Sequence, residues 1–511
     1  MPTSSPPSRG DAKSSVTTRF RFVLLWILFS AANYGYGISE LNALQPMLTC
    51  QVRSPSPSPS ASVSVSASAS PSSGCISLTE AQFGLVTSLF TLGGLISSFL
   101  ISPLSKSLSW GRKTCITASA SFGILGSLVL TFSSSLTGLG IGRFVQGIGS
   151  GIGVVIVPIF INEISPTALK GSIGVLNQFS IVLGIFVAQA IGASWLGSDG
   201  WWWRSVPGVS GALSLLQLLG SLTVGLESPG WLEGEGKKSW TMRANDEADE
   251  VRKVLWSAKE VQSWKEGRRS TGSNDDARSD EERQALLAGS EADASRANVS
   301  SMEVKVGLCT LFSDPELRPG TLLVMLTQLG QQLSGINAVL YYSVGILGSI
   351  VPSLAGSIGI VITLINIVMT FPPIWLIDER RVGRKTLMLA SALVMSIASA
   401  LLATGIVYGY KIISAICMIL MVAGFSFGLG PIPFVILPEL VASRAVSTTT
   451  SLGLTLNWTA NFVVGSAFLP IKNWLAGYDA DHTGGAVFWI FALTNLATAI
   501  TVAKMYRYQP E

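Results

Sequence analysis

Four amides fall within ten residues in QLGQQLSGINAVLYYS: Gln328, Gln331, Gln332 and Asn337. A neutral amide offers donors and an acceptor but no charge. That chemistry suits a ligand with vicinal hydroxyls, which donate and accept in turn, and suits a charged ligand poorly. The surrounding residues are apolar enough for a buried helix, where such groups are costly without a partner. Single amides often bond helix to helix. Four so close together favour a polar solute.

On an ideal helix Gln328, Gln331, Gln332 and Gly335 share a face, whereas Asn337 lies about 140° round from Gln332. For both to meet one cavity the helix must break, and Ser334-Gly335 is the place, since glycine tolerates irregular backbone. Earlier, GVLNQFSIVLGIFVAQAIG sets Gln178 and Gln189 eleven residues apart, within about 20° of one face. Ile181 and Ile185 lie on the same stripe. Polar groups beside an apolar stripe fit a sugar, with its polar hydroxyls and apolar C–H faces.

Other chemistry is thin. The lone histidine, His482, falls in an expected loop, and no nucleophile–base set is visible, so no enzyme activity is expected. The five cysteines form no CxxC and no metal spacing, so neither metal nor cofactor is expected. A net charge of +4, scattered along the chain, gives no nucleic-acid surface.

The chain that carries these groups has 511 residues, 48% hydrophobic and 13% charged, with mean hydropathy +0.49. A soluble domain carries about 25% charged residues. Runs long enough to span a bilayer fall near 20–38, 84–104, 115–133, 136–160, 172–196, 204–226, 318–348, 355–377, 386–408, 412–436, 447–470 and 484–504. Twelve spans in an all-α membrane protein place both termini on one side. Arg9, Lys13, Arg19, Arg21, Arg112, Lys113, Arg380, Arg381, Arg384, Lys385, Lys504 and Arg507 make that side cytosolic by the positive-inside rule. The polar N-terminus is too long for a cleaved signal peptide.

The expected organisation is a cytosolic tail (1–19), a six-helix bundle (20–226), a charged, Ser-rich linker (227–315), a second six-helix bundle (316–504) and a short cytosolic tail (505–511). The halves echo each other. GRK occurs at 111–113 and 383–385, and Glu163 and Glu439 take equivalent places, as expected of two pseudo-symmetric bundles about a midplane cavity. The external loop 46–80 is low-complexity and rich in Ser and Pro. Cys50 and Cys75 flank it; a disulfide between them and two free thiols both fit the sequence.

Several segments together, GRFVQGIGSGIGVVIVPIFINEISPTALKGSIGVLNQ, QQLSGINAVLYYS, GPIPFVILPEL and NWTANF, make the chain resemble a sugar porter of the major facilitator superfamily. The likeness is to facilitative glucose transporters and their fungal relatives, and covers nearly all of residues 20–511. It implies a monomeric carrier in the lipid bilayer that moves a monosaccharide, most simply a glucose-like hexose, by alternating access. It implies sugar contacts from Gln178, Gln331, Gln332, Asn337, Asn366 and Asn457, with apolar walls from Ile181, Ile185, Phe425 and Trp458. Tyr341 and Tyr342 would form an external gate. Arg112, Glu163, Arg384 and Glu439 would form a cytosolic charge network between the bundles.

The departures bear on mechanism. Phe434 replaces a tryptophan of the family's sugar site, and Gly230 replaces the arginine of its PESPR motif. The acidic residue expected before GRK is absent, with Leu108 and Arg380 standing there and Asp378 nearby. Proton-coupled relatives carry an aspartate on the first span, opposite an arginine on the fourth. Here the aspartate position is Gly37, while Arg143 remains. Glu40, three residues on, is either an interfacial charge or a displaced partner for Arg143. Gly37 cannot titrate, so facilitated diffusion is expected ahead of proton symport through Glu40 and Arg143, and ahead of a non-transporting sugar sensor. The plasma membrane is the expected location, with the vacuolar membrane as the alternative.

Overall fold

The structure is a computed structural model, and it describes residues 16–42, 44–48, 76, 78–166, 169–194, 202–235, 242–266, 307–340, 355–377, 382–437, 440–477 and 484–506. Cys50, Cys75, Tyr341, Tyr342, Asp378, Arg380, Glu439 and His482 lie outside the described residues, as does most of the linker.

The first half comprises α1 (Thr18–Ser39), α2 (Glu80–Ser107), α3 (Arg112–Phe132), α4 (Leu136–Ile164), α5 (Lys170–Ser194) and α6 (Ser205–Thr223). The second comprises α7 (Leu317–Leu333), α8 (Ala355–Leu376), α9 (Gly383–Val407), α10 (Lys411–Gly424), α11 (Ser443–Ala476) and α12 (Val487–Met505). Among the described residues ten helices are long and apolar enough to cross a bilayer. The remaining two of the twelve expected spans are α7, which is interrupted, and α8, which is apolar from Ile360 to Leu376. Helices α3, α6, α10 and α12 expose Phe132, Leu222, Ile412 and Leu493 respectively, as a lipid-facing surface requires.

Local sequence sets several helix starts. Thr79 and Gln82 form a reciprocal capping box at the head of α2. Ser135 caps α4 through Gly138 N–H, and Thr17 caps α1 through Phe20 N–H. The Leu78 N–H donates to the Leu48 carbonyl at 2.9 Å, which joins the two ends of the low-complexity loop.

Packing repeats between the halves. Helix α1 lies on α5 as α7 lies on α11, and α3 lies on α6 as α9 lies on α12. The halves meet along two further pairs, α2 with α11 and α5 with α8. Towards the end that carries the termini, Ser172 Oγ donates to the Ile374 carbonyl at 3.5 Å, and the Phe179 and Phe371 rings lie 5.0 Å apart. Towards the opposite end, Ser466 Oγ donates to Ser88 Oγ at 3.1 Å. The halves are thus in contact at both ends.

The break expected in the seventh span is present. Helix α7 stops at Leu333, Gly335 takes φ +85°, and helical turns resume at Ile336. That backbone favours glycine, and a Cβ there would meet the Phe491 ring at 2.5 Å. The freed Leu333 and Ser334 carbonyls are bonded by Thr494 Oγ1 (2.6 Å) and Asn495 Nδ2 (3.1 Å) of α12. The unwound turn therefore has its backbone satisfied at membrane depth.

Candidate substrate-binding site

The amides singled out in the sequence converge. Asn457 on α11 donates from Nδ2 to Gln328 Oε1 and Gln331 Oε1, both at 2.8 Å, and to the Gln328 carbonyl at 3.3 Å. Gln332 Nε2 donates to Asn457 Oδ1 at 2.8 Å, and Asn337 Nδ2 donates to Gln332 Oε1. The break at Gly335 is what brings Asn337 round to Gln332. All five side chains are buried.

Their roles differ. Gln331 Nε2 donates to the Leu429 and Gly430 carbonyls at 2.8 and 2.9 Å, and Gln328 Nε2 to the Pro433 carbonyl at 3.2 Å. These carbonyls lie where α10 gives way to a π-helical turn (Phe425–Leu429) and a short helix (Ile432–Ile436). Gln328 and Gln331 thus hold irregular backbone, while among the described residues Gln332 and Asn337 bond only within the amide cluster. Asn366 on α8 accepts from Ser426 Oγ at 2.5 Å. Phe425 is buried at the head of the π-helical turn, and Phe434 in the short helix is half-buried.

From the first half, α5 presents Gln178 with Ile181 and Ile185, all buried. The Gln178 amide has no hydrogen-bond partner among the described residues. Trp458 of α11 crosses to the first half. Its ring lies 5.5 Å from Tyr34 and 6.3 Å from Phe90, edge-on to both, and it sits against Gly94 of α2. The Trp458 indole N–H is buried and donates no hydrogen bond among the described residues.

Glu40 is not an interfacial charge. Both Glu40 and Arg143 are 0% exposed, and Glu40 Oε2 lies 3.3 Å from Arg143 Nη1. Gln146 joins them, donating to Glu40 Oε2 at 2.8 Å and accepting from Arg143 at 2.9 Å. Arg143 also donates to the Gly37 carbonyl at 2.8 Å and lies 4.4 Å from the Phe90 ring centroid. Burying two charges is tolerated because each is paired and hydrogen-bonded. Gln146 and Phe90 were not singled out from sequence. Gln146 follows Arg143 by three residues, a spacing that puts both on one helix face; nothing in SLFTLGG marks Phe90.

At the end that carries the termini, Arg112 Nη2 lies 2.9 Å from Glu163 Oε1, and Ser228 Oγ donates to Glu163 Oε2. Glu227 accepts from the backbone N–H groups of Arg112 (2.7 Å) and Lys113 (3.2 Å). Burial pushes the Glu227 carboxyl up from its ordinary range, opposed by these backbone donors and by Arg112. The partners of Glu163 lie in the first half and at the start of the linker, so this part of the charge network braces one bundle. Arg112 also lies 5.1 Å from the Trp231 ring centroid, and Gly230 packs against Glu163. Beyond this cluster, the linker helix Met242–Leu255 is tied back to the bundle. The Thr17 N–H donates to the Leu255 carbonyl at 3.0 Å, and Trp256 Nε1 donates to the Ile164 carbonyl at 2.7 Å.

The second half thus carries a buried cluster of amides, and the first half carries a buried amide, Gln178, with no hydrogen-bond partner among the described residues. A family model described as sugar (and other) transporter matches residues 23–507. A probable metabolite transport protein of Saccharomyces cerevisiae is 32% identical over 98% of this chain and 94% of its own length. The facilitated glucose transporter member 3 of Oryctolagus cuniculus is 31% identical over 81% of this chain and 76% of its own. Among solved structures, the major facilitator superfamily proton:xylose symporter XylE bound to 6-bromo-6-deoxy-D-glucose superposes with TM-score 0.68 at 21% identity, covering 95% of this chain and 96% of that one. That likeness fixes the twelve-helix fold. With the family model spanning nearly the whole sequence, the chain belongs to the sugar (and other) transporter family.

Proposed function

We propose that this protein moves a neutral monosaccharide, most simply a glucose-like hexose, across a membrane by facilitated diffusion with alternating access. The observation that carries the site is the buried Gln332–Asn457–Asn337 cluster, with the Gln178 amide of the first half proposed to complete it. Sugar hydroxyls would exchange with the bonds inside the cluster, and Trp458, Phe425, Ile181 and Ile185 would flank the C–H faces. Asn366 and Phe434 complete the second-half wall. Tyr341 and Tyr342 would close the site from outside. Arg384 and Glu439 would continue, in the second half, the charge cluster of Arg112 and Glu163. The basic residues flanking the spans support cytosolic termini. The plasma membrane is the proposed location and a single chain the working unit.

Facilitated diffusion is supported by Gly37, which removes the titrating group of the first span, and by Arg143 being compensated at once by Glu40, Gln146 and the Gly37 carbonyl. One observation favours a second reading, proton symport: Glu40 Oε1 is fully buried and accepts no hydrogen bond among the described residues. Radiolabelled hexose uptake in transporter-null cells at two external pH values separates them. Uniport predicts equal uptake in the presence and absence of a protonophore. Accumulation above the external concentration, abolished by Glu40→Gln, establishes the symport reading instead.

A further inference from the structure

Gly37 leaves a space, and Phe90 fills it. A Cβ on Gly37 would meet Phe90 Cε2 at 2.9 Å and Cζ at 3.0 Å. The same ring lies 4.4 Å from the Arg143 guanidinium carbon, stacks on Tyr34 at 6.4 Å, and meets Trp458 edge-on at 6.3 Å. Phe90 is 1% exposed and Trp458 likewise. One rigid ring therefore touches both a buried ion pair of the first half and an indole belonging to the second.

We infer that Phe90 is a positioning residue that couples the Glu40–Arg143 pair to the sugar site through Trp458. A guanidinium over a desolvated aromatic face is held by the ring's quadrupole. That attraction fixes the ring plane as well as the cation. Trp458 has little freedom to absorb a shift of Phe90, because Gly94 receives its far edge: a Cβ there would lie 2.5 Å from Trp458 Cη2 and Cζ3. Asn457, the next residue, joins all the amides of α7. A displacement of Arg143 towards or away from Glu40 thus tilts Phe90, moves Trp458, and alters the amide cluster. The converse holds when sugar orders Trp458, since coupling between two sites is reciprocal. The link is a packed chain of four side chains, Glu40, Arg143, Phe90 and Trp458, that crosses from one half to the other.

This inference rests on the proposed sugar site, and its test keeps the two apart. Glucose exchange is measured in proteoliposomes holding wild type, Glu40→Gln, Phe90→Leu, Phe90→Tyr, the two Glu40→Gln double variants and Gln332→Ala. In the wild-type background Glu40→Gln shifts the sugar KM by about fivefold or more, the lower end of ordinary inter-site coupling. In the Phe90→Leu background, which keeps apolar volume and loses the aromatic face, the same substitution leaves KM within about twofold of its Phe90→Leu parent. Phe90→Tyr retains the face and retains the full Glu40→Gln shift, which a merely space-filling role does not require. If the Glu40→Gln shift is the same in the Phe90→Leu background as in wild type, or is absent in wild type, the coupling is overturned while the sugar site stands. If Gln332→Ala leaves KM unchanged, the sugar site itself fails and the coupling falls with it.

Discussion

Gln332 of α7 and Asn457 of α11 are joined by a 2.8 Å hydrogen bond from Nε2 to Oδ1, and Asn337 bonds the other end of the same Gln332 amide. The bond ties the broken helix to the helix that reaches across to the first half. Gln332→Ala leaves Asn457 Oδ1 and the Asn337 amide without it. A buried hydrogen bond contributes about 1 kcal/mol net, and an orphaned partner costs about 1–3 kcal/mol. Sugar affinity is expected to fall about fivefold or more, with normal delivery to the membrane, in equilibrium binding to purified protein.

Gln331→Ala acts differently. Its Nε2 holds the Leu429 and Gly430 carbonyls beside the π-helical turn. Losing it orphans two buried acceptors, so the melting temperature in detergent falls along with sugar affinity. A variant with weakened sugar binding and unchanged melting would show that the carbonyls find other donors.

Gly335 holds φ +85° with the Phe491 ring 2.5 Å from where a Cβ would be. Gly335→Ala brings about 1–2 kcal/mol of backbone strain together with that steric clash. Expected are a lower melting temperature and little transport. Wild-type transport and stability would mean that the turn rearranges freely, contrary to its role in placing Asn337.

Restoring an acid at position 37 requires room. Gly37→Asp alone meets Phe90 at 2.9 Å and is expected to lower stability and transport. Gly37→Asp combined with Phe90→Ala removes the obstruction and is expected to recover expression above the single variant. A double variant expressed no better than Gly37→Asp alone would show that crowding was not the cause.

Gly230 sits against a carboxylate already bonded by Arg112 and Ser228, and its neighbour Trp231 stacks on Arg112. Gly230→Arg adds a second cation to Glu163 within the same bundle. A partly exposed pair contributes about 0.2–1 kcal/mol, so the melting temperature should rise slightly while affinity for an outward-binding inhibitor stays the same, with Gly230→Ala as the packing control. A higher inhibitor affinity in Gly230→Arg than in wild type would show instead that this cluster bears on the contact between the bundles.

The twelve apolar runs and the break in α7 were legible in sequence for one reason: each is a periodicity within a single helix. Amides on two faces demanded a break, and Gly335 was the residue able to make it. The pairing of Glu40 with Arg143 was not decidable, because it depends on how deeply α1 and α4 interlock. Phe90 was invisible, since an aromatic in an apolar run carries no signal until its neighbours are known. The split between Gln331, which braces backbone, and Gln332, which among the described residues bonds only side chains, likewise depends on where α10 unwinds. The sequence alone treated the two glutamines as equals.

The central claim is that a monosaccharide moves downhill through this protein by way of the amide cluster. Radiolabelled glucose uptake into sealed proteoliposomes, with no pH gradient and no membrane potential, tests it most directly. The account predicts saturable entry that stops when internal and external concentrations are equal and that weakens in Gln332→Ala. Entry no faster than in protein-free vesicles for glucose and the other hexoses tested would contradict it.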